Sequence, residues 1–278
     1  MAVARALPQR ARRLVGAWCF ADHFGPVAVD GAAGMRVGPH PHIGLQTVSW
    51  LVAGEVLHRD SLGSEQLIRP GELNLMTAGR GIVHSEETPG GSTWPLHGVQ
   101  LWVALPEAER HREPAFHHHS DLPVLDADGV RVTVLMGSLF GATSPAVAYT
   151  PLVGLELAVD RAERTLALPL DPTYEYVVLV LDGGFEVDGL VVPPDVMAVV
   201  EPGSLGADLR STAAGHALVL GGAPLGEEVA MWWNFVARTR PELEAAAAVW
   251  SDGGFGTVHG FRGPRIPAPV PWWLPTAD

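Results

Sequence analysis

"GPHPHIGLQTVSWLVAG" (residues 38–54) sets two histidines, His40 and His42, one residue apart ahead of an alternating apolar run. Side chains at i and i+2 of a strand leave the same face, so both imidazoles project together from the start of a half-buried strand. The run ends at Gly54, a turn residue. The same habit recurs downstream: "QTVSWLVAGEVLHRDS", "GELNLMTAGRGIVHSEE" and "HGVQLWVALPE" are each bounded by Gly or Pro. That is the pattern of short antiparallel strands with tight connections. Residues 45–105 therefore read as a sheet closed on itself.

Composition agrees. The 278 residues include 32 Gly and 24 Pro against only 18 Lys+Arg, which suits many short strands and turns better than a helical bundle. The formal net charge of −13 offers no broad basic surface for neutralising phosphates, so direct nucleic-acid binding is excluded as a function class. Cys19 is the single cysteine, which rules out an internal disulfide and points to a reducing cytoplasm. Near the N-terminus Arg5, Arg10, Arg12 and Arg13 precede "LVGAWCFA", but Asp22 and His23 end that apolar stretch after eight residues. It is short for a signal-peptide core and far short of a membrane span, so a cytoplasmic monomer without membrane association is expected.

The small, loop-like text "GSLFGATSPAVAYT" (137–150) separates the first strand series from a second: "LVGLELAV", "TLALPL", "YEYVVLVLDGGFEVDG", "DVMAVVEPG" and "ALVLGGAPL". A division near residue 143 gives two domains, 1–143 and 144–278. Their halves echo each other: "TVSWLVAGEV" with its turn at Gly54 resembles "YVVLVLDGGF" with its turn at Gly183, and "RPGELNLMTAG" resembles "PPDVMAVVEPG". Such an echo suggests a duplicated barrel. Near the end, "TRPELEAAAAVW" is helical in pattern, with Thr239 as cap and Pro241 in the first turn. The helix is expected to lie on a barrel, and the tryptophans of the proline-rich tail to pack back onto a domain.

Ten of the 12 histidines fall within the first 119 residues. His84 and Glu86 in "GIVHSEE" repeat the spacing of His40 and His42. If the two segments are neighbouring or facing strands of a small barrel, three imidazoles and one carboxylate converge. Such a set, free of thiolate, suits first-row ions such as Fe(II), Mn(II), Ni(II) or Cu(II) better than the thiolate-rich closed site of structural zinc. Four protein ligands on an octahedral ion leave two positions open for chemistry.

The layout of an HxH, a strand ending at Gly54 and then "RPGELNLMTAGRGIVHSE" is that of cupin barrels, and over its first half the chain resembles one family closely, the pirins. The resemblance rests on "CFADHFGP", "GMRVGPHPHIGLQTVSWLVAGEVLHRDSLGSEQLIRPGELNLMTAGRGIVHSEE", "LHGVQLWVALPEAER" and, more loosely, "GGAPLGEE". It implies an all-β bicupin of two jelly-roll barrels with a short C-terminal helix. It also implies one mononuclear non-haem iron in the N-terminal barrel, held here by His40, His42, His84 and Glu86, with Mn, Ni, Cu or Zn as other divalent occupants. Pirins are described as quercetin 2,3-dioxygenases, which open a flavonol ring with release of carbon monoxide, and in animals as iron-dependent modulators of transcription factors. The expected function is thus an oxygenase acting on a flavonol-like small molecule, with Glu86 also accepting the substrate's proton. The alternative is a non-catalytic iron-dependent regulator that binds a protein partner, and a third, weaker fit is a sugar- or acid-processing cupin isomerase.

Two positions depart from the usual patterns. Cupins commonly carry a Glu ligand four residues after the second His, where this chain has Gln46, a residue suited to a hydrogen bond behind the ligands and not to service as a charged base. Ile43 stands where many pirins have Arg, which makes the pocket rim less basic. In the second half, the positions matching His40 and His42 by distance from the turn are Pro169 and Asp171, so no second metal site is expected there. His117, His118 and His119 read as a solvated tract, His58 and Asp60 as surface or rim residues, His97 as either a support to the ligands or a core hydrogen-bonder, and Cys19 as a small buried residue.

Overall fold

The computed structural model describes residues 2–29 and 34–274. Each half builds a six-stranded sheet and a four-stranded sheet that face each other as a jelly roll. In the first half the larger sheet runs Val3–Leu7, Trp18–Val27, Leu96–Ala104, Leu45–Ala53, Leu73–Thr77, Ala115–His119, and the smaller runs Arg36–His42, Ile82–Glu87, Val56–Asp60, Glu65–Ile68. In the second half the larger sheet runs Val124–Ala127, Val130–Met136, Leu152–Val159, Gly215–Gly222, Glu175–Val180, Met197–Val200. Its smaller partner is Thr165–Pro169, Gly206–Ala213, Gly184–Val187, Leu190–Val192. The internal echo is real in three dimensions: Leu45–Ala53 and Glu175–Val180 hold equivalent places in their sheets, and so do Leu73–Thr77 and Met197–Val200.

Chain ownership differs from the expected division at residue 143. Val124–Ala127 and Val130–Met136 hydrogen-bond into the second large sheet through Leu152–Val159, so the crossover between barrels falls at residues 120–123. The loop-like stretch after Gly137 is an excursion within the second sheet system, a tiny hairpin of Ser138–Leu139 with Ala142–Thr143.

The two large sheets pack face to face. Because strand side chains alternate, Val48, Trp50, Leu75 and Leu101 point across the interface to meet Leu135, Val177, Leu179 and Leu218. Trp18, fully buried, donates its indole N–H to the carbonyls of Val153 (3.2 Å) and Gly221 (3.1 Å) in the other barrel. The barrel interiors differ. The second is a continuous, mainly aliphatic core in which Val132, Leu155, Leu166, Val178, Phe185 and Val219 take part. The first is split into two apolar clusters, one around Leu45, Met76, Ile82 and Trp102 and the other around Phe24, Leu51, Val56 and Leu96, and polar side chains lie between them.

The last part of the chain returns to the first barrel. Ala230–Trp232 and Phe235–Ala237 form a hairpin, and Ile43 bridges Phe235 in parallel. The helix Arg240–Ser251 begins as expected: Thr239 is extended and its hydroxyl accepts from the Glu242 N–H, with Pro241 in the first turn. Leu243, Ala246 and Trp250 on its buried face pack with Val83 and Phe235, and Trp273 of the tail joins them, whereas Trp272 is exposed. No helix among the described residues is long and apolar enough to cross a membrane.

Candidate metal centre

Arg36–His42 and Ile82–Glu87 are adjacent antiparallel strands with His40 directly opposite His84 and His42 opposite Ile82. The period-two spacing in each strand therefore puts His40, His42, His84 and Glu86 on one face, turned into the polar gap of the first barrel. All four are buried. The ligand-capable nitrogens of His40, His42 and His84 lie within 4.8 Å of one another, and the same holds for a second group of His58, His84 and Glu86. Among the described residues these are the groups able to hold an ion, and both belong to the first barrel.

Hydrogen bonds behind the rings fix their tautomers. His40 Nδ1 lies 2.9 Å from the Gly38 carbonyl and His42 Nδ1 3.0 Å from the Asn234 carbonyl, so each Nδ1 is the protonated donor and each Nε2 a bare lone pair. His42 Nε2 and His84 Nε2 stand 3.0 Å apart. Three imidazoles crowded with lone pairs turned inward repel unless a cation or a proton sits among them. A divalent first-row ion fits that donor set. Burial, with mutual repulsion between imidazoliums, holds His40 down at about 4 and His42 and His84 well below the ordinary range, which keeps the rings neutral as ligands must be. Burial pushes the Glu86 carboxyl up, against the Ser49 hydroxyl 3.2 Å away that favours the charged form.

Gly44, the turn residue after the HxH, has φ +68°, and a Cβ there would lie 2.0 Å from the Val236 carbonyl oxygen. Only glycine lets the C-terminal strand approach closely enough for Asn234 to reach His42. Above the imidazoles opens a cavity of about 190 Å³, walled by Phe24, Val37 and a stacked pair, Phe20 and Trp102, whose ring centroids are 3.9 Å apart. Trp102 also meets His42 edge to face.

His58 and Asp60 are not rim residues. Val56–Asp60 is the sheet neighbour of Ile82–Glu87, with His58 opposite Glu86 and Asp60 opposite His84. Both are buried behind the cluster, and His58 stacks on Phe116. The spacing His58–Asp60 repeats that of the HxH, which was the available signal. Gln46 faces the other way: it is fully buried between the barrels, where its amide donates to Thr77 Oγ1 and the Val147 carbonyl, so it supports no ligand. The alternation of Leu45–Ala53 explains this, since Thr47 and Ser49 are the residues turned toward the cluster.

His97 also lies away from the cluster, at the barrel interface. Its Nε2 is 2.8 Å from His23 Nε2, whose other nitrogen meets Asp195, and its Nδ1 is 3.7 Å from Asp182. Asp182 in turn pairs with His216 at 3.0 Å. His117, His118 and His119 form an edge strand on Leu73–Thr77 instead of a solvated loop; His117 is exposed, and His118 Nδ1 bonds Asn74 Oδ1 at 2.8 Å. Cys19 is fully buried, and burial raises its thiol to about 12, an inert group.

Two tandem jelly rolls, one holding an imidazole–carboxylate cluster and the other filled with aliphatic side chains, define a bicupin. Family models described as Pirin and as Pirin C-terminal cupin domain match residues 1–103 and 154–256. A Pseudomonas aeruginosa protein named "Putative quercetin 2,3-dioxygenase" is 48% identical over 97% of this chain and 86% of its own. A pirin-like protein of Caulobacter vibrioides is 37% identical over 96% and 94%. A crystal structure titled quercetin 2,3-dioxygenase from Acinetobacter baumannii superimposes with a TM-score of 0.94 at 44% identity, covering 99% of this chain and 91% of that one. The chain belongs to the pirin family.

Proposed function

We propose that the protein is a metal-dependent oxygenase of the quercetin 2,3-dioxygenase type, with His40, His42, His84 and Glu86 as ligands of one mononuclear ion, Fe(II) by family resemblance. The observation that carries this reading is the convergence of the Nε2 faces, two of them 3.0 Å apart, at the floor of a cavity lined by aromatic side chains. The names of relatives at 48% and 44% identity supply the substrate class, a flavonol-like small molecule. When bound, the ion supplies Lewis acidity toward adjacent hydroxyl and keto oxygens and a site for dioxygen.

The chain's own residues do the rest. Phe20 and Trp102, stacked on each other, line the cavity as an apolar wall beside which a planar ring fits. Glu86, steadied by Ser49, is the carboxylate placed to take the proton of an acidic hydroxyl arriving at the floor. Phe24 and Val37 keep bulk water from the reacting end.

One observation favours a second reading, a metal-responsive regulator with a protein partner. The cavity, about 190 Å³, is below the roughly 300–1,000 Å³ usual for small-molecule pockets, so a flavonol enters by one end only. The test is metal content and oxygen uptake with quercetin, in untagged protein prepared anaerobically, for wild type and His84→Ala. About one iron per chain, lost in the variant together with oxygen uptake, is the expected outcome. Iron without turnover of quercetin or related enediols would transfer the weight to the regulator.

A further inference from the structure

Two of the three imidazoles are held by backbone carbonyls; the third is not. His84 Nδ1 faces His58 Nδ1 at 3.4 Å, and His58 Nε2 faces Asp60 Oδ2 at 3.1 Å. The other carboxylate oxygen of Asp60 accepts the backbone N–H groups of Leu62 (2.9 Å) and Ser64 (3.0 Å). An oxygen that accepts two N–H bonds belongs to a carboxylate already committed as an acceptor, so its partner nitrogen, His58 Nε2, carries the hydrogen. A His58 protonated at Nε2 alone presents a lone pair from Nδ1. His84 Nδ1 must then donate, and His84 Nε2 is left bare toward His42. With His58 neutral, the three links agree on one arrangement of hydrogens, running Asp60, His58, His84.

We propose that Asp60 and His58 form a buried positioning dyad that fixes the tautomer of His84 and, by backing it with a carboxylate, makes it the most electron-rich of the three imidazoles. The proposal rests on the metal-centre reading. His40 and His42 lean on neutral carbonyls, so His84 alone is coupled to a full negative charge, through one intervening ring. Stacking on Phe116, with ring centroids 4.4 Å apart, holds His58 in the orientation the relay needs. Neither dyad residue lines the cavity, so both act through His84.

Asp60→Asn is a reversal of the relay more than a deletion. The amide oxygen would keep the two backbone N–H groups, turning its NH2 toward His58 Nε2. That nitrogen would have to accept, the His58 hydrogen would move to Nδ1, and two N–H groups would oppose each other at the His58–His84 contact. His58→Phe is the companion variant: it keeps the stack on Phe116 and removes the acceptor.

The experiment uses Zn(II), which is diamagnetic and indifferent to turnover. Long-range proton–nitrogen NMR of zinc-loaded protein assigns the ring tautomers, and competition with a chelator gives the affinity. The expected result in wild type is a hydrogen on His84 Nδ1 and on His58 Nε2. In Asp60→Asn the His58 hydrogen moves to Nδ1, and in both variants the affinity for Zn(II) falls by about 10–100-fold. A merely structural role would lower the melting temperature without exchanging the tautomer. Zn(II) bound through His84 Nδ1, or variants that bind like wild type, would overturn the dyad while leaving the metal centre standing. A wild type that binds no Zn(II) would overturn the metal centre and the dyad together.

Discussion

His97 gives a sharp test of how the barrels are joined. It sits at the interface with His23 at 2.8 Å, Asp182 at 3.7 Å and the His216 ring edge-on, and Asp195 stands beyond His23. Burial, then repulsion from His23, holds His97 from 6.5 down to about 4, against the pull of Asp182. A folded pKa below the unfolded one means that the unfolded chain binds a proton the native protein refuses. The penalty is absent above about pH 6.5, grows as pH falls, and is complete below about 4. At about 1.4 kcal/mol per unit the full difference is roughly 3 kcal/mol, and roughly 2 of it falls between pH 7 and pH 5. His97→Gln keeps a polar group opposite His23 but cannot titrate. Urea unfolding at the two pH values, on metal-free samples of both proteins, should show the wild type losing about 2 kcal/mol more than the variant on acidification. Histidines out of contact with His97 are common to both and cancel, and the glutamine keeps a polar neighbour for His23. An equal loss in both proteins would refute the assignment of His97 as a neutral, interface-locked imidazole.

Gly44→Ala adds a Cβ 2.0 Å from the Val236 carbonyl at a φ of +68°. It should destabilise the protein by about 3 kcal/mol, a fall of roughly 6–12 °C in Tm, together with a loss of metal as the strand bearing Asn234 is pushed off His42; an unchanged melting curve would refute the close approach. Trp102→Leu removes the ring stacked on Phe20 at 3.9 Å. It should raise KM for quercetin by about 2–12-fold with metal content intact, since an aromatic contact contributes ~0.5–1.5 kcal/mol beyond its area. A fall in kcat with KM unchanged would put Trp102 elsewhere in the mechanism.

The convergence of His40, His42, His84 and Glu86 was legible because its information is local. An HxH and an HSE each declare a shared face through strand periodicity alone, and pairing of the two strands needed only a barrel. The duplication was legible for a like reason, as turn glycines and alternation repeat with the sheet order. His58 and Asp60 carry the same local spacing, but which strand lies beside Ile82–Glu87 is settled by long-range pairing, and a short run after a glycine turn looks like rim. Gln46 failed on direction: from a strand between two packed layers, both faces are buried, and composition does not tell barrel interior from barrel interface. The Asn234 carbonyl had no signal, since a backbone oxygen is present at every residue. The crossover at residues 120–123 was hidden because "GSLFGATSPAVAYT" looks more like a linker than the four residues that make the passage.

The return of the C-terminal segment to the first barrel bears on how the molecule matures. Every candidate ligand has been synthesised by residue 86, yet the acceptor that orients His42 belongs to residue 234, almost 150 positions later. A nascent first barrel would hold its imidazoles with one ring free to rotate and to bind through the wrong nitrogen. The finished geometry waits for the second barrel to fold and deliver the hairpin across the gap. The aliphatic barrel thereby acts as a clock on the centre: on the proposed reading, metal capture in the correct geometry follows delivery of residue 234.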